Sequence, residues 1–415
     1  MSTFDPEPLW DIVEEHLDEA EFLWGKWEHS LVAPHYTLAE VVAGPEARLL
    51  AHIDALVVNG PKVAERLLVP TLHDQGGEPT RIRAAALSLL NSPGDGGIDT
   101  VLTTFISQPA LRPELARALE CADPGPVLPR LQQQLDTRDD DLFSYLARVL
   151  TFHGASLTAV LPRLLASERI EDRSLAVRLL PRAPADRQQM RTLLKCLHSD
   201  DPGLRDEALA CAALLDLPQA WTCARELADA SDPSAGRALL LLALRADPAD
   251  LPVLLASPAI EALRAAALWA LGFLGTAAAI EAALPWLADE ALGKLAGEVV
   301  TAVTGLDLER ERLTRAAPSV EALEHRPEDN LPCPDPEGVT RWWQRSRGNF
   351  KGGQRFIAGR KSDTLAVLHA LRDGPMRRRA PYLFLLQRQA PRSRPFVELS
   401  APGRRQRREL ALLSG

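Results

Sequence analysis

The residues best suited to chemistry in this chain are aromatic and cationic, and they are interleaved. Trp342, Trp343, Phe350 and Phe356 alternate with Arg341, Arg345, Arg347, Lys351 and Arg355. Flat rings among guanidiniums can stack bases while the charges neutralise phosphates. The same mixture anchors protein interfaces, where Trp and Arg concentrate binding energy. It can also pack a module against acidic residues of its own chain. The surrounding charge favours the last two readings. From residue 338 onward there are 18 Lys and Arg against 4 Asp and Glu, a net of +14, whereas the first 337 residues carry −23. A basic tail joined to a long acidic body has acidic residues of its own chain within reach. Trp342, Trp343, Arg355 and Phe356 are the expected partner-binding residues, together with Trp24 and Trp27 near the N-terminus. A protein is the expected partner. Nucleic acid held by the basic tail is the alternative, although the acidic body works against phosphate binding.

Other constellations lead to structural expectations. Glu14, Glu15 and His16, with Asp18, Glu19 and Glu21, place carboxylates where two could share a cation. No His-x-x-x-His pair and no Glu-x-x-His shares that face, so a solvated acidic helix face is expected, and no metal. Asp139, Asp140 and Asp141 lack the Gly and bidentate Glu of a calcium loop. The last of them is expected to cap a helix beginning at Leu142. The five cysteines, Cys121, Cys196, Cys211, Cys223 and Cys333, are odd in number and none has Cys-x-x-Cys spacing. They imply free thiols and a cytoplasmic setting, the first four as small core residues. His153 and His369 lie in helical, apolar contexts and read as structural. Gly352, Gly353 and Gly359 fit a turn in a short hairpin or helix pair better than a phosphate cradle. Neither Gly-x-Ser-x-Gly nor a P-loop occurs, so neither a catalytic centre nor a cofactor is expected. No apolar run reaches the roughly 18 residues that span a bilayer. The N-terminus lacks the basic-then-apolar order of an export signal.

These residues must be positioned by helices. Trp10, Val13, Leu17, Ala20, Trp24, Trp27 and Leu31 alternate in steps of 3 and 4, one sustained helical face over about 7–31. Further helices follow Thr37 and Pro61, giving an N-terminal helical cap over 1–76. Beyond it a register recurs about every thirty residues. Runs of small and aliphatic residues open at Arg83, Arg112, Arg173, Arg205, Arg237 and Arg264, with members lacking the arginine near Leu142 and Lys294. A fixed period of this length means stacked helix pairs, here over 77–314. Asp123-Pro124, Asp201-Pro202, Asp232-Pro233 and Asp247-Pro248 read as N-cap carboxylates before a first-turn proline. Five prolines between Pro318 and Pro336 mark 315–337 as an extended linker. A basic helical module occupies 338–415, with helices near 363–372 and 377–388 and an aperiodic end after Pro391.

The run Leu263-Arg264-Ala265-Ala266-Ala267-Leu268-Trp269-Ala270-Leu271-Gly272-Phe273-Leu274-Gly275, followed by Leu284-Pro285-Trp286-Leu287, resembles a HEAT-like repeat of the short, phycobilisome-lyase type. The stretch 201–215 is a second good match. The resemblance implies an all-α fold, an α-solenoid of HEAT-like helix pairs between the N-terminal cap and the basic C-terminal module. The Trp-rich acidic first helix, Trp342-Trp343, Gly353-Gln354-Arg355-Phe356 and the terminal Arg404-Arg405-Gln406-Arg407-Arg408 further resemble a little-characterised family of proteobacterial HEAT-like proteins. Genes of that family lie near type VI secretion effector and spike genes. The resemblance therefore implies a non-enzymatic scaffold or adaptor, chaperone-like, with an effector, its chaperone or a spike component as partner.

Overall fold

The computed structural model describes residues 7–74, 76–184, 186–316, 327–389 and 396–413. These residues are overwhelmingly helical, with one short antiparallel hairpin. The all-α class read from periodicity is the class the chain adopts.

Helix α1 (Trp10–Ser30) buries Val13, Leu17, Ala20, Leu23, Trp24 and Trp27, the face set by the 3–4 spacing. Thr37 and Glu40 form a capping box at α2 (Leu38–Val41). A π turn leads from there into α3 (Ala47–Val58), which lies along α1. Gly60 at positive φ and Pro61 end that segment, and α4 (Pro61–Val63) and α5 (Val69–His73) follow.

Eight core-lining helices come next: α6 (Pro79–Leu90), α8 (Arg112–Cys121), α10 (Asp140–Phe152), α12 (Ile170–Leu179), α14 (Pro202–Leu214), α16 (Gly236–Arg245), α18 (Arg264–Leu274) and α20 (Gly293–Thr304). Each contains one member of the thirty-residue register. They alternate with α7 (Gly96–Ser107), α9 (Pro124–Gln132), α11 (Leu161–Ala166), α13 (Arg187–Cys196), α15 (Pro218–Asp229), α17 (Leu251–Ala256) and α19 (Ala277–Ala283). Core-lining neighbours pack directly, α6 on α8, α8 on α10, α12 on α14, and α14 through α20 in succession. Small residues allow that approach. In α6, Ala84, Ala85 and Ala86 are fully buried, and α16 buries every residue from Ala238 to Leu244. Leucines supply the apolar area, at about 25 cal/mol per Å² removed from water.

The recurring arginine has a structural reason at three of its positions. Arg83 bonds Glu114, Arg112 bonds Asp139 and Asp141, and Arg205 reaches Ser234 and Asp232, each partner lying in the next helix pair. Arg112 also takes the carbonyls of Phe105 and Ile106 and is 2 % exposed. Its guanidinium holds the Asp139 carboxyl below the usual carboxylate range.

The C-terminal residues form α21 (Pro336–Ser346), β1 (Phe356–Ile357), β2 (Arg360–Lys361), α22 (Thr364–Asp373), α23 (Arg379–Gln389) and α24 (Gly403–Leu412). They touch both the N-terminal helices and the last core-lining helix. Met376 N–H donates to Tyr36 O at 2.8 Å and Arg377 N–H to Ala33 O at 3.1 Å, in the loop after α1. The Arg377 and Arg378 guanidiniums meet Glu298 of α20 at 3.7 and 3.3 Å. Residues 376–378 thus join the loop after α1 to the last core-lining helix.

Several expectations need correction. The segment assigned to an extended linker, 315–337, is paired at its ends. Arg315 N–H donates to Cys333 O, and Asp335 N–H to Leu313 O, so the two strands of chain run back along each other. Residues 317–326, with Pro318, lie outside the described residues. Helix α21 begins inside the expected linker, capped by Asp335. Asp139, rather than Asp141, caps α10, through Leu142 N–H; Asp141 is drawn to Arg112 and Arg169 instead. Asp232 caps no helix, because its carboxylate is taken by the Ser234 N–H and hydroxyl in a turn before α16. The stretch expected to be aperiodic contains α24.

Candidate functional site

Four of the six nominated residues are buried, and Trp342 and Arg355 are partly exposed. Trp24 is 0 %, Trp27 2 %, Trp343 2 % and Phe356 6 % exposed, so none projects from the surface towards a partner. Trp24 and Trp27 pack edge to face with centroids 5.7 Å apart. Trp343, Phe350 and Phe356 form a series of tilted and edge-to-face contacts at 5.6 and 5.0 Å, joined to the core of the later helices. Trp342 is half-buried against the same core. The structure places Trp342, Trp343 and Phe356 together and keeps Trp24 and Trp27 in the N-terminal core.

Arg355 lies between these rings and the array. Its guanidinium donates to Leu274 O at 3.1 Å, Phe273 O at 2.9 Å, Leu244 O at 3.2 Å and Ala243 O at 3.4 Å. Those carbonyls are the unpaired C-terminal ends of α16 and α18, where the helix dipole is negative. Burial pushes the guanidinium below its ordinary value, and the four carbonyls offset that cost. The hairpin docks beside it, with Phe356 N–H on Gly275 O and Ala358 N–H on Ala302 O, both at 2.7 Å. Gly275 and Gly305, each at φ 72°, permit this contact. A Cβ there would come within 2.6 Å of Phe356 O or 2.7 Å of Ala358 O.

Two other C-terminal arginines repeat the pattern: Arg378 donates to Gly272 O and Arg405 to Phe152 O at the end of α10, whereas Arg388 pairs with the Asp216 carboxylate just beyond α14. The basic tail and acidic body do meet, but many of the bonds go to helix-end carbonyls rather than carboxylates. Reading charge alone missed this, because every helix end offers carbonyls whatever its side chains.

A mixed cleft lies where α24 meets the N-terminal helices. It has a volume of about 660 Å³ and is walled by Trp24, Trp27, Leu49, Leu87, Cys121 and Leu412 on its apolar side. Glu46 fixes its geometry. Buried at the end of the π turn, its carboxylate accepts Trp27 Nε1–H at 3.2 Å, Gly403 N–H at 2.5 Å and Arg404 N–H at 3.1 Å. It therefore holds the N-terminus of α24 from 357 residues away. The Cys121 thiol, pushed up to about 12 by burial, stays protonated and unreactive. Arg404, Arg405 and Arg408 line the mouth.

His153 closes the neighbouring wall, with Nε2 2.9 Å from Leu119 O and Nδ1 3.3 Å from Arg405. Burial lowers its pKa, and the neutral tautomer fits both contacts. His16 faces His52 across α1 and α3, Nδ1 to Nδ1 3.0 Å. Burial and then the His16 charge lower the His52 pKa. Among the described residues no group of three or more His, Cys, Asp or Glu is arranged to hold a metal. No single helix among them is long and apolar enough to cross a membrane.

No protein-family model matches the chain, and no curated protein matches it. Among solved structures, YibA of Escherichia coli aligns over 65 % of this chain and 97 % of its own, at 13 % identity and a TM-score of 0.37. An engineered protein aligns over 89 % and 98 %, at 15 % and 0.30. Human deoxyhypusine hydroxylase, in complex with glycerol, aligns over 68 % and 96 %, at 16 % and 0.20. Scores this low constrain neither fold nor activity.

Proposed function

We propose that this protein is a non-enzymatic adaptor: an α-solenoid of HEAT-like helix pairs, capped by its N-terminal helices and drawn together by its C-terminal module, that binds another protein in the cytoplasm. The observation that carries the reading is the junction at 376–378, where backbone bonds to Ala33 and Tyr36 and ion pairs to Glu298 tie the N-terminal helices to α20. A surface fixed in this way loses little conformational entropy on docking, which favours binding by a preformed face. Charge separation adds a steering field: Asp11, Glu14, Glu15 and Asp18 are exposed on α1, and the C-terminal module is cationic. The resemblance to HEAT-like proteins encoded beside type VI secretion genes puts an effector, its chaperone or a spike component first among the partners, and loading of that cargo as the task.

Affinity purification from the native cell, with and without nuclease, tests this. A stoichiometric protein partner that survives nuclease supports the adaptor. Partners lost with nucleic acid on nuclease treatment overturn it.

A second reading rests on Arg345, Arg347, Lys351, Arg360 and Lys361, all exposed on the C-terminal module. Such a surface can hold phosphates. The burial of Trp343 and Phe356 withdraws the stacking platforms a single strand would need. A duplex mobility shift that weakens steeply with salt would promote this reading, and its absence at low salt would end it.

A further inference from the structure

We infer that the cleft between α24 and the N-terminal helices receives the free carboxyl terminus of a partner polypeptide whose last residues are apolar. The inference rests on the adaptor reading and names what the adaptor grips. Its volume of about 660 Å³ lies in the range of built ligand sites.

The electrostatics of the walls set the chemistry. Every carboxylate lining the cleft is already engaged. Glu46 holds Trp27 and the start of α24, Glu120 holds Arg117 and Arg148, Asp123 caps α9, and Glu409 pairs with Arg405. Arg405 is further bound to Phe152 O. Arg404 and Arg408 are different. They stand four residues apart on one face of α24, line the mouth and have no side-chain partner among the described residues. The balance of unmet charge is positive, so the cleft is complementary to an anion, and two guanidiniums one turn apart suit a carboxylate.

The apolar wall completes the fit. Trp27, Leu49, Leu87 and Leu412 would surround an apolar side chain next to the carboxylate.

Glu120, at the edge of this cleft, also lines two further clefts of about 480 and 460 Å³, which share Arg148. The adaptor reading makes the occupant the end of a polypeptide, and a small carboxylic acid is the alternative that the test separates.

The test uses the full chain and a pool of peptides with four randomised C-terminal positions, each made as free acid and as carboxamide. Equilibrium dialysis read by mass spectrometry gives the retained fraction of each. The expected result is at least tenfold retention of free acids ending in Leu, Ile or Phe over their amides. The double substitution Arg404→Gln and Arg408→Gln, at exposed positions, should abolish the difference without changing the melting temperature. Equal retention of acids and amides, or retention of decanoate but no peptide, overturns the inference. Native purification separates this outcome from the broader reading: a partner recovered equally by wild type and the double variant keeps the adaptor and removes the chain-end site.

Discussion

At the residue scale, arginine does most of the joining. Arg355 satisfies four carbonyls at two helix ends. Arg355→Ala would leave those groups without donors and should lower unfolding stability by about 2–3 kcal/mol. Arg355→Lys should recover less than half, because one ammonium cannot address four carbonyls in a planar fan; thermal and denaturant unfolding of the pair checks both. Glu46→Ala removes the acceptor of three donors and should cost about 2–4 kcal/mol, with hydrogen exchange in α24 accelerating first. Histidine sets the pH response. His153 and His52 have lowered pKa values in the folded chain, so the unfolded chain takes up protons first as pH falls. Stability should be level above about pH 6.5 and decline below it until the folded-state values are passed. Denaturant midpoints between pH 8 and 5 measure this, and His153→Gln should flatten part of the slope. The sequence singled out Arg355 but not its role. It also placed Trp24 and Trp27 on the apolar face of α1, and that spacing was already the stronger reason to expect burial. Arg404 and Arg408 were visible only as part of a charge run. Their position beside a cleft depends on Glu46, and no local pattern links residues so far apart in the chain.

At the scale of elements, helices with strong 3–4 periodicity were legible, and so were most proline-led starts. The recurring runs fell on all eight core-lining helices. Helix α24 was not legible, because its buried face is Gly403, Gln406 and Leu410 among arginines. Hydrophobic periodicity cannot register a face made of glycine and glutamine. Asp335, like the other Asp-Pro caps, marked α21, but the surrounding prolines masked it. The hairpin was foreseen as one of two possible turns, and its docking depends on Gly275 and Gly305. Gly305→Ala should weaken that docking by about 1–3 kcal/mol through the positive φ and the contact with Ala358 O. Faster hydrogen exchange at the Ala358 and Phe356 amides, with little change at α6, would be the signature.

At the scale of the molecule, the basic module fastens the N-terminal helices to α20. Its contacts link segments hundreds of residues apart, so they could not be read from any window of sequence. Charge asymmetry left open whether the tail would meet the body or a partner, and gave no sign that it would reach both the N-terminal helices and α20. Removal of residues 336–415 should raise the radius of gyration in solution scattering and split one unfolding transition into several, as the helix pairs become coupled only to their neighbours. Retention of one sharp transition and an unchanged radius would show that the ends need no fastening.

The order of synthesis gives that fastening a further meaning. Residues 376–378 leave the ribosome some seventy residues after α20 is complete, which at typical elongation rates is roughly 4–15 s. Throughout that interval Phe273, Leu240 and Leu244 lack the C-terminal side chains that complete their core. The nascent chain therefore carries an uncovered apolar surface for seconds before its own last segment closes it. A message cut short upstream would release a product that never closes, and the same surface would mark it for chaperones and proteases.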